Sequence, residues 1–209
     1  MTAHNQEEVS ADDLLQLALR IGREAAAMLM DRPAELEVNT KSTAIDVVTQ
    51  MDIKVEAFIV EQLLAARPHD GLIGEEGADR PSTSGITWVI DPLDGTVNYL
   101  YDLPGWNVSI AAIDREGQLV GVVTAPSINS TWWALRGGGA FFNGKPIRCN
   151  DPIEFNRAMI ATGFQYDVAH RGKQIEHASK ILSLIRDIRR NGAAAVDLCH
   201  VAMGRVDAY

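Results

Sequence analysis

The sequence predicts a layered α/β fold in which helices cover blocks of short strands. Three observations predict it. Two amphipathic helical segments open the chain, short β-branched and aromatic runs fill its middle, and helical periodicity returns towards its end. No internal repeat and no linker divides these segments. Residues 11–209 therefore read as one domain behind a polar, non-periodic and flexible stretch at 1–10.

Residues 11–31 carry Leu14, Leu15, Leu17, Ala18, Ile21, Ala25, Met28 and Leu29 at helical spacing. Ser10 is the candidate N-cap, Asp12 and Asp13 suit the first turn, and Pro33 stops the helix. Residues 52–66 form a second helix with Val55, Phe58, Ile59, Leu63 and Leu64 inward, ended by Pro68. Leu72-Ile73-Gly74 is a short apolar segment before Glu75-Glu76-Gly77, and 79–85 is a Pro/Ser/Gly-rich loop. Thr87 to Ile90 reads as a buried strand. Residues 108–113 and 119–124 pair as a hairpin across Arg115-Glu116-Gly117. Further strands fall at 131–135 and 140–142, with a turn at Asn143-Gly144. A third amphipathic helix is expected at 175–189, a buried small-residue helix at 192–202, and the start of a strand at Val206–Tyr209.

Composition narrows the function. The chain has 209 residues, 46% hydrophobic and 22% charged, enough for a substantial core. Its net charge of −9 and the lack of a Lys/Arg stripe argue against nucleic acid as a partner. The basic run Arg186-Asp187-Ile188-Arg189-Arg190 is read as cations complementing a helix dipole. Cys149 and Cys199 form no Cys-x-x-Cys motif, and a reducing cytoplasm fits them. No signal peptide and no membrane-spanning run is visible. An acidic protein that handles anionic substrates would need local positive charge, and bound metal ions would be the economical source.

The chemistry concentrates in Asp91-Pro92-Leu93-Asp94-Gly95-Thr96. The preceding strand fixes Asp91, Pro92 stiffens the turn, and Asp94 returns to the same side. Two carboxylates held this way, with the Leu93 carbonyl between them, suit hard cations. A helix starting near Gly95 would direct its N–H groups at a phosphate beside the metals. Glu75-Glu76 and Asp46…Asp52 add acidity, although acidic pairs usually lie on solvated faces and Asp52 could simply cap its helix.

With these motifs in place, the chain resembles the inositol monophosphatase family of Mg2+-dependent, lithium-sensitive sugar phosphatases. The resemblance runs from about Leu14 to Tyr209. It rests on Lys41-Ser42-Thr43 with Asp46-Val47-Val48-Thr49-Gln50-Met51-Asp52, on Gly74-Glu75-Glu76, on Trp88 to Asn98, and on Gly192 to Cys199 followed by Gly204 to Tyr209. It implies an αβαβα sandwich of the inositol monophosphatase and fructose-1,6-bisphosphatase type. It implies hydrolysis of a small phosphorylated metabolite, first inositol 1-phosphate, by a metal-activated water. Fructose 1,6-bisphosphate, histidinol phosphate or a nucleotide 3′-phosphate are the alternative substrates. A catalytically impaired relative serving as a binding module is the alternative from another class.

The resemblance also assigns residues. Glu75, Asp91 and the Leu93 carbonyl would hold one Mg2+. Asp91 would bridge to a second, also held by Asp94, and Glu75 would help hold a weaker third, two to three ions in all. Asp52 and Thr96, assisted by Glu75, would orient and deprotonate the attacking water. The Gly95 and Thr96 N–H groups would receive phosphate, and Asp94 and Ala194 would touch sugar hydroxyls. Lys41 and Glu76 would support the ligands from behind. Substrate choice is expected to depend on 164–172. A homodimer is implied, beside the cytoplasmic location that the cysteine usage fits. The family pattern continues past Tyr209 with a substrate-contacting Glu and a Trp-Asp metal ligand, so the resemblance implies a domain incomplete at its C-terminus.

Competing signals are weaker. Gly139 to Lys145 fits a nucleotide-binding loop skeleton, but Pro146 replaces the required Ser/Thr and the segment reads as a hairpin. His4, His69, His170, His177 and His200 lack zinc spacing. Trp132-Trp133 fits packing better than substrate stacking, and Ser109 and Ser127 have no nucleophile-elbow context.

Overall fold

A computed structural model describes residues 10–41 and 45–209. Residues 1–9, and Ser42 and Thr43 of the Lys41 motif, lie outside the described residues. Helix α1 (Ala11–Met30) buries Leu14, Leu15, Ala18, Ile21, Ala25 and Leu29, the stripe expected from the spacing. The Ser10 hydroxyl makes no capping bond, contrary to expectation. Its carbonyl instead accepts the Asp13 and Leu14 N–H groups. Strands β1 (Val38–Thr40) and β2 (Val47–Thr49), unseen in the sequence, pair antiparallel and lead into α2 (Gln50–Ala66).

Helix α2 starts earlier than expected because Thr49 is its N-cap, and Asp52 completes the cap from the third helical position. The Thr49 hydroxyl accepts the Met51 N–H, while Asp52 Oδ2 accepts the Thr49 N–H at 2.8 Å. Helices α1 and α2 pack on one face of a seven-stranded sheet, the main core. Its strands are β3 (Gly71–Gly74), β4 (Thr87–Asp94), β5 (Asn107–Asp114), β6 (Gly117–Ala125), β7 (Ser130–Leu135), β8 (Gly139–Phe142) and β9 (Lys145–Ile147), in that spatial order. Only β3 and β4 run parallel. The others are antiparallel neighbours, β4 and β5 joined through residues 95–106 and the rest by short turns. The Gly139–Lys145 segment is the expected hairpin. Asn143 (φ 46°) and Gly144 (φ 77°) make a two-residue turn whose positive φ values match the strand twist.

Strand β4 is longer than expected and buried on one face only. Trp88 and Ile90 are inside, whereas Val89 is 36% exposed, which corrects the fully buried reading. Trp88 is anchored through its indole N–H to the buried Asp70, which Arg67 and Ser84 also bind.

On the opposite face, α5 (Ala194–Ala202) packs Ala193, Val196, Cys199 and Met203 against Trp132, Val123 and Phe142. Trp132 is therefore a core residue, and Trp133 stacks on Phe141 at 3.9 Å. Helix α5 buries only Val196 and Asp197, with Leu198 exposed, so it is less buried than expected.

The third helix differs most. Strand β10 (Met159–Ala161), α4 (Val168–Leu182) and β11 (Asp187–Arg189) form a parallel βαβ unit. Asp167 caps α4 by accepting the Ala169 and His170 N–H groups, so the helix starts earlier. Ile188 pairs with Ile160, so 187–189 is strand and the basic run complements no helix dipole. No residue of α4 is buried, against the amphipathic expectation. Near the end of the chain, Ala208 bridges to Ile160, as a strand beginning there would. Among the described residues no helix is long and apolar enough to cross a membrane.

Candidate active site

The acidic motif lies at a break in the β4–β5 ladder. Asp91 pairs with Ser109 and Asp94 with Asn107, so three steps on β4 oppose two on β5. In a regular strand, residues three apart face opposite sides. The extra residue, placed where Pro92 has no N–H to give, removes that opposition. Gly95 then adopts φ 88°, and α3 (Thr96–Leu100) begins immediately. A side chain at Gly95 would press on Ala193 and the Trp106 backbone, at 3.1 and 3.3 Å from its Cβ.

Each carboxylate has a distinct environment. Burial, then the charges of Glu75 and Asp94, pushes the Asp91 carboxyl up to about 9. Its Oδ1 accepts the Leu93 N–H at 3.1 Å. Asp94 is raised by burial, against three bonds that favour its charge. Those come from Asn107 Nδ2 (2.9 Å), Ala194 N (3.1 Å) and Ala195 N (2.7 Å). Asp94 thereby caps α5 from another element, which fixes Ala194 beside it. Glu75 is exposed at the end of β3 and is held by its N–H to the Ile90 carbonyl. Lys41 Nζ bridges Glu75 and Glu76 at 2.8 and 2.6 Å, and these bonds raise it despite the opposing effect of burial, its largest single influence.

Asp52 is 1% exposed. Burial raises it, and bonds from Thr49 and Thr96 oppose the rise. The Thr96 hydroxyl lies 3.0 Å from both Asp52 Oδ1 and the Leu93 carbonyl. Cap and site thus share one carboxylate: Oδ2 holds Thr49 and Oδ1 faces Thr96.

The structure brings Glu75, Asp91, Asp94, the Leu93 carbonyl, Thr96 and Asp52 together at one end of β3 and β4. The donors are all oxygen, with no thiolate or imidazole, and their like charges make Asp91 hard to ionise. That chemistry fits a hard divalent cation. The carboxylates are not drawn into a closed cage. Among the described residues no three acidic, His or Cys side chains form a preformed metal cluster; Glu75 meets the Asp91 side chain and is also bound by Lys41.

Beside Asp94 runs a cleft walled by Thr162, Phe164, Tyr166, Arg190, Gly192 and Ala194. A neighbouring pocket of 690 Å³ shares Thr162, Phe164, Tyr166 and Tyr209 with this cleft and reaches Asp46. Phe164 and Tyr166 belong to the segment expected to govern substrate choice. Sequence reading missed Arg190 as a cleft residue, having placed it after a helix. It also missed Asn107, a buried amide that holds Asp94, and Asn98, whose Nδ2 ties α3 to the Asn191 carbonyl at 2.7 Å. Polar residues inside apolar strands and turns were the available signal.

Residues 10–209 match the inositol monophosphatase family. The chain is 38% identical over 216 residues to the inositol-1-monophosphatase SuhB of Mycobacterium tuberculosis, covering 94% of this chain and 74% of that protein. It is 33% identical to the fructose-1,6-bisphosphatase/inositol-1-monophosphatase of Thermotoga maritima, covering 94% and 75%. The crystal structure of the extragenic suppressor protein suhB from Bartonella henselae superposes with a TM-score of 0.86 at 32% identity, over 93% of this chain and 76% of that one.

Proposed function

The chain belongs to the inositol monophosphatase family, and from that premise we propose that it hydrolyses inositol 1-phosphate to inositol and phosphate with Mg2+ as cofactor. Family and relatives make it a phosphoric monoester hydrolase. The observation that carries the finer reading is the meeting of Glu75, Asp91 and Asp94 with the Thr96–Asp52 pair at the β4 irregularity.

In this reading Glu75, Asp91, Asp94 and the Leu93 carbonyl hold two to three Mg2+ ions. Bound there, Mg2+ supplies positive charge against the phosphate dianion and the departing alkoxide. The chain's own groups do the rest. Thr96 and Asp52 stand in line to take a proton: the Thr96 hydroxyl orients the attacking water, and Asp52, drawn towards its protonated form by burial, receives the proton with help from Glu75. The Gly95 and Thr96 N–H groups, at a helix start where backbone donors have no intrahelical acceptor, receive the phosphate. Asp94 and Ala194 face the sugar, and Lys41 and Glu76 brace Glu75 from behind. Phe164, Tyr166 and Arg190 line the path by which the rest of the substrate leaves the phosphate site.

The experiment is a substrate panel at fixed Mg2+. Phosphate release is measured from inositol 1-phosphate, fructose 1,6-bisphosphate, histidinol phosphate and a nucleoside 3′-phosphate. The highest kcat/KM is expected for inositol 1-phosphate. A higher value for another ester overturns the substrate, and release from none overturns the enzyme reading in favour of a binding module. A cytoplasmic homodimer and a single 11–209 domain complete the proposal. Light scattering and limited proteolysis test the dimer and the domain, and tagged-protein fractionation tests the location.

A further inference from the structure

Glu56 is a carboxylate in the wrong place for a surface residue. It lies one turn after Asp52 on α2, among Val55 and Ile59 on the buried face, and is only 5% exposed. Buried carboxylates need partners. Its partners are two backbone donors from one turn: Glu76 N–H to Oε2 at 2.9 Å and Ala78 N–H to Oε1 at 3.2 Å. That turn carries Glu75. The fit leaves no slack, because a Cβ on Gly74 would lie 2.5 Å from Glu56 Oε2 and 2.9 Å from the Ala78 side chain. Gly77 closes the turn at φ 108°. On its other side, Glu75 is tied to β4 by its N–H to the Ile90 carbonyl, one residue before Asp91.

We propose that Glu56 is a positioning residue for the metal site: by gripping the Glu76 and Ala78 N–H groups of the turn that follows Glu75, while the Glu75 N–H is held by Ile90, it fixes the distance between the Glu75 and Asp91 carboxylates. It touches neither substrate nor metal. Residues behind a metal ligand set its orientation, and their loss typically costs about 10–100-fold in metal affinity. Because α2 also carries Asp52, the same helix sets the proton acceptor and the turn that bears a ligand. The inference rests on the proposed Mg2+ site.

The test is Glu56→Gln, which keeps the size but presents an amide N–H to one of the two donors. Mg2+ binding is measured by calorimetry and by the rise in Tm that Mg2+ produces, alongside the Mg2+ dependence of phosphate release. A roughly tenfold or larger increase in the Mg2+ needed for half-saturation is expected in all three readouts. The kcat at saturating Mg2+ should stay within about threefold of the unsubstituted protein. A purely structural role would lower the metal-free Tm and leave Mg2+ half-saturation unchanged, and that result overturns the proposal. Gly74→Ala crowds the same contact without altering the carboxylate and should shift Mg2+ half-saturation in the same direction. If Glu56→Gln does not fold, an unshifted Gly74→Ala alone overturns the proposal. Glu75→Gln separates the two levels. If Glu75→Gln binds Mg2+ like the parent, the metal site itself is misassigned; if it weakens binding and Glu56→Gln does not, only the role of Glu56 falls.

Discussion

Replacing Asp91 by Asn should make the metal-free protein more stable while destroying its response to Mg2+. Without a cation, Asp91 is a mostly buried carboxyl facing Glu75 and Asp94, and its affinity for a proton rises to match. An acid whose folded pKa lies above its unfolded value of about 3.9 binds more protons folded than unfolded across the interval between them. Stability therefore falls as pH rises through that interval. From about pH 3.9 to pH 7 the span is roughly three units, an upper bound near 4 kcal/mol at about 1.4 kcal/mol per unit.

Partial solvation of the carboxylate reduces this, so about 2 kcal/mol is the working figure, or roughly 4–8 °C in Tm for a chain of this size. Asn can keep the acceptor used by the Leu93 N–H at 3.1 Å, so the turn itself survives. The assay is thermal unfolding of both proteins at pH 7 in EDTA and again in excess Mg2+. The parent should gain strongly from Mg2+, because a ligand at about 100 times its Kd adds about 2.7 kcal/mol, and Asp91→Asn should gain little. An Asp91→Asn protein less stable than the parent in EDTA refutes the repulsion argument. An equal Mg2+ response in both refutes the placement of Asp91 at the metal.

Three further outcomes follow from the same geometry. Thr96→Val removes the hydroxyl shared by Asp52 Oδ1 and the Leu93 carbonyl; it should cost about 1.5–3 kcal/mol in urea unfolding and cut kcat roughly 10²–10⁴-fold. Gly192→Ala forces a side chain onto a backbone at φ 95° and into the Asn98 side chain, with Arg190 Nη1 2.8 Å away; a loss of about 2–4 kcal/mol is expected by thermal melt. Asp167, whose carboxyl is held low by the His170 and Ala169 N–H groups, contributes to α4 above its unfolded pKa and loses that contribution as pH falls through its folded pKa. Amide exchange at 169–171 should therefore accelerate on acidification below about pH 4 relative to that in α1, and Asp167→Asn should remove the pH dependence.

The legible parts of the fold were those governed by one local rule. The α1 stripe, the β5–β6 hairpin and the Asn143-Gly144 turn each follow from periodicity or turn chemistry and need no distant partner. The misread parts depend on tertiary contacts. Arg186–Arg190 looks like a helix end until Ile188 finds Ile160 across a parallel ladder. Val89 looks buried because a strand's two faces cannot be told apart from an apolar run. In the site, the carboxylate pair was legible because Asp-Pro-Leu-Asp follows a strand. The irregularity that aligns the pair was not, since it exists only against Ser109 and Asn107. Asp94 shows the same limit. Sequence gives it as a ligand, and the structure adds that it caps α5 and holds Asn107. An Asp94→Asn substitution thus turns an N–H towards one of those donors and tests the cap together with the chemistry.

The most direct measurement is phosphate release from inositol 1-phosphate as Mg2+ is titrated into EDTA-treated protein, with Asp94→Asn run in parallel and its fold checked by circular dichroism. The expected result is no turnover in EDTA, saturable activation by Mg2+, and a kcat at least about 10²-fold lower in the folded Asp94→Asn protein. Equal turnover in EDTA and in Mg2+, or near-normal turnover by Asp94→Asn, would contradict a metal-dependent phosphatase centred on the β4 irregularity.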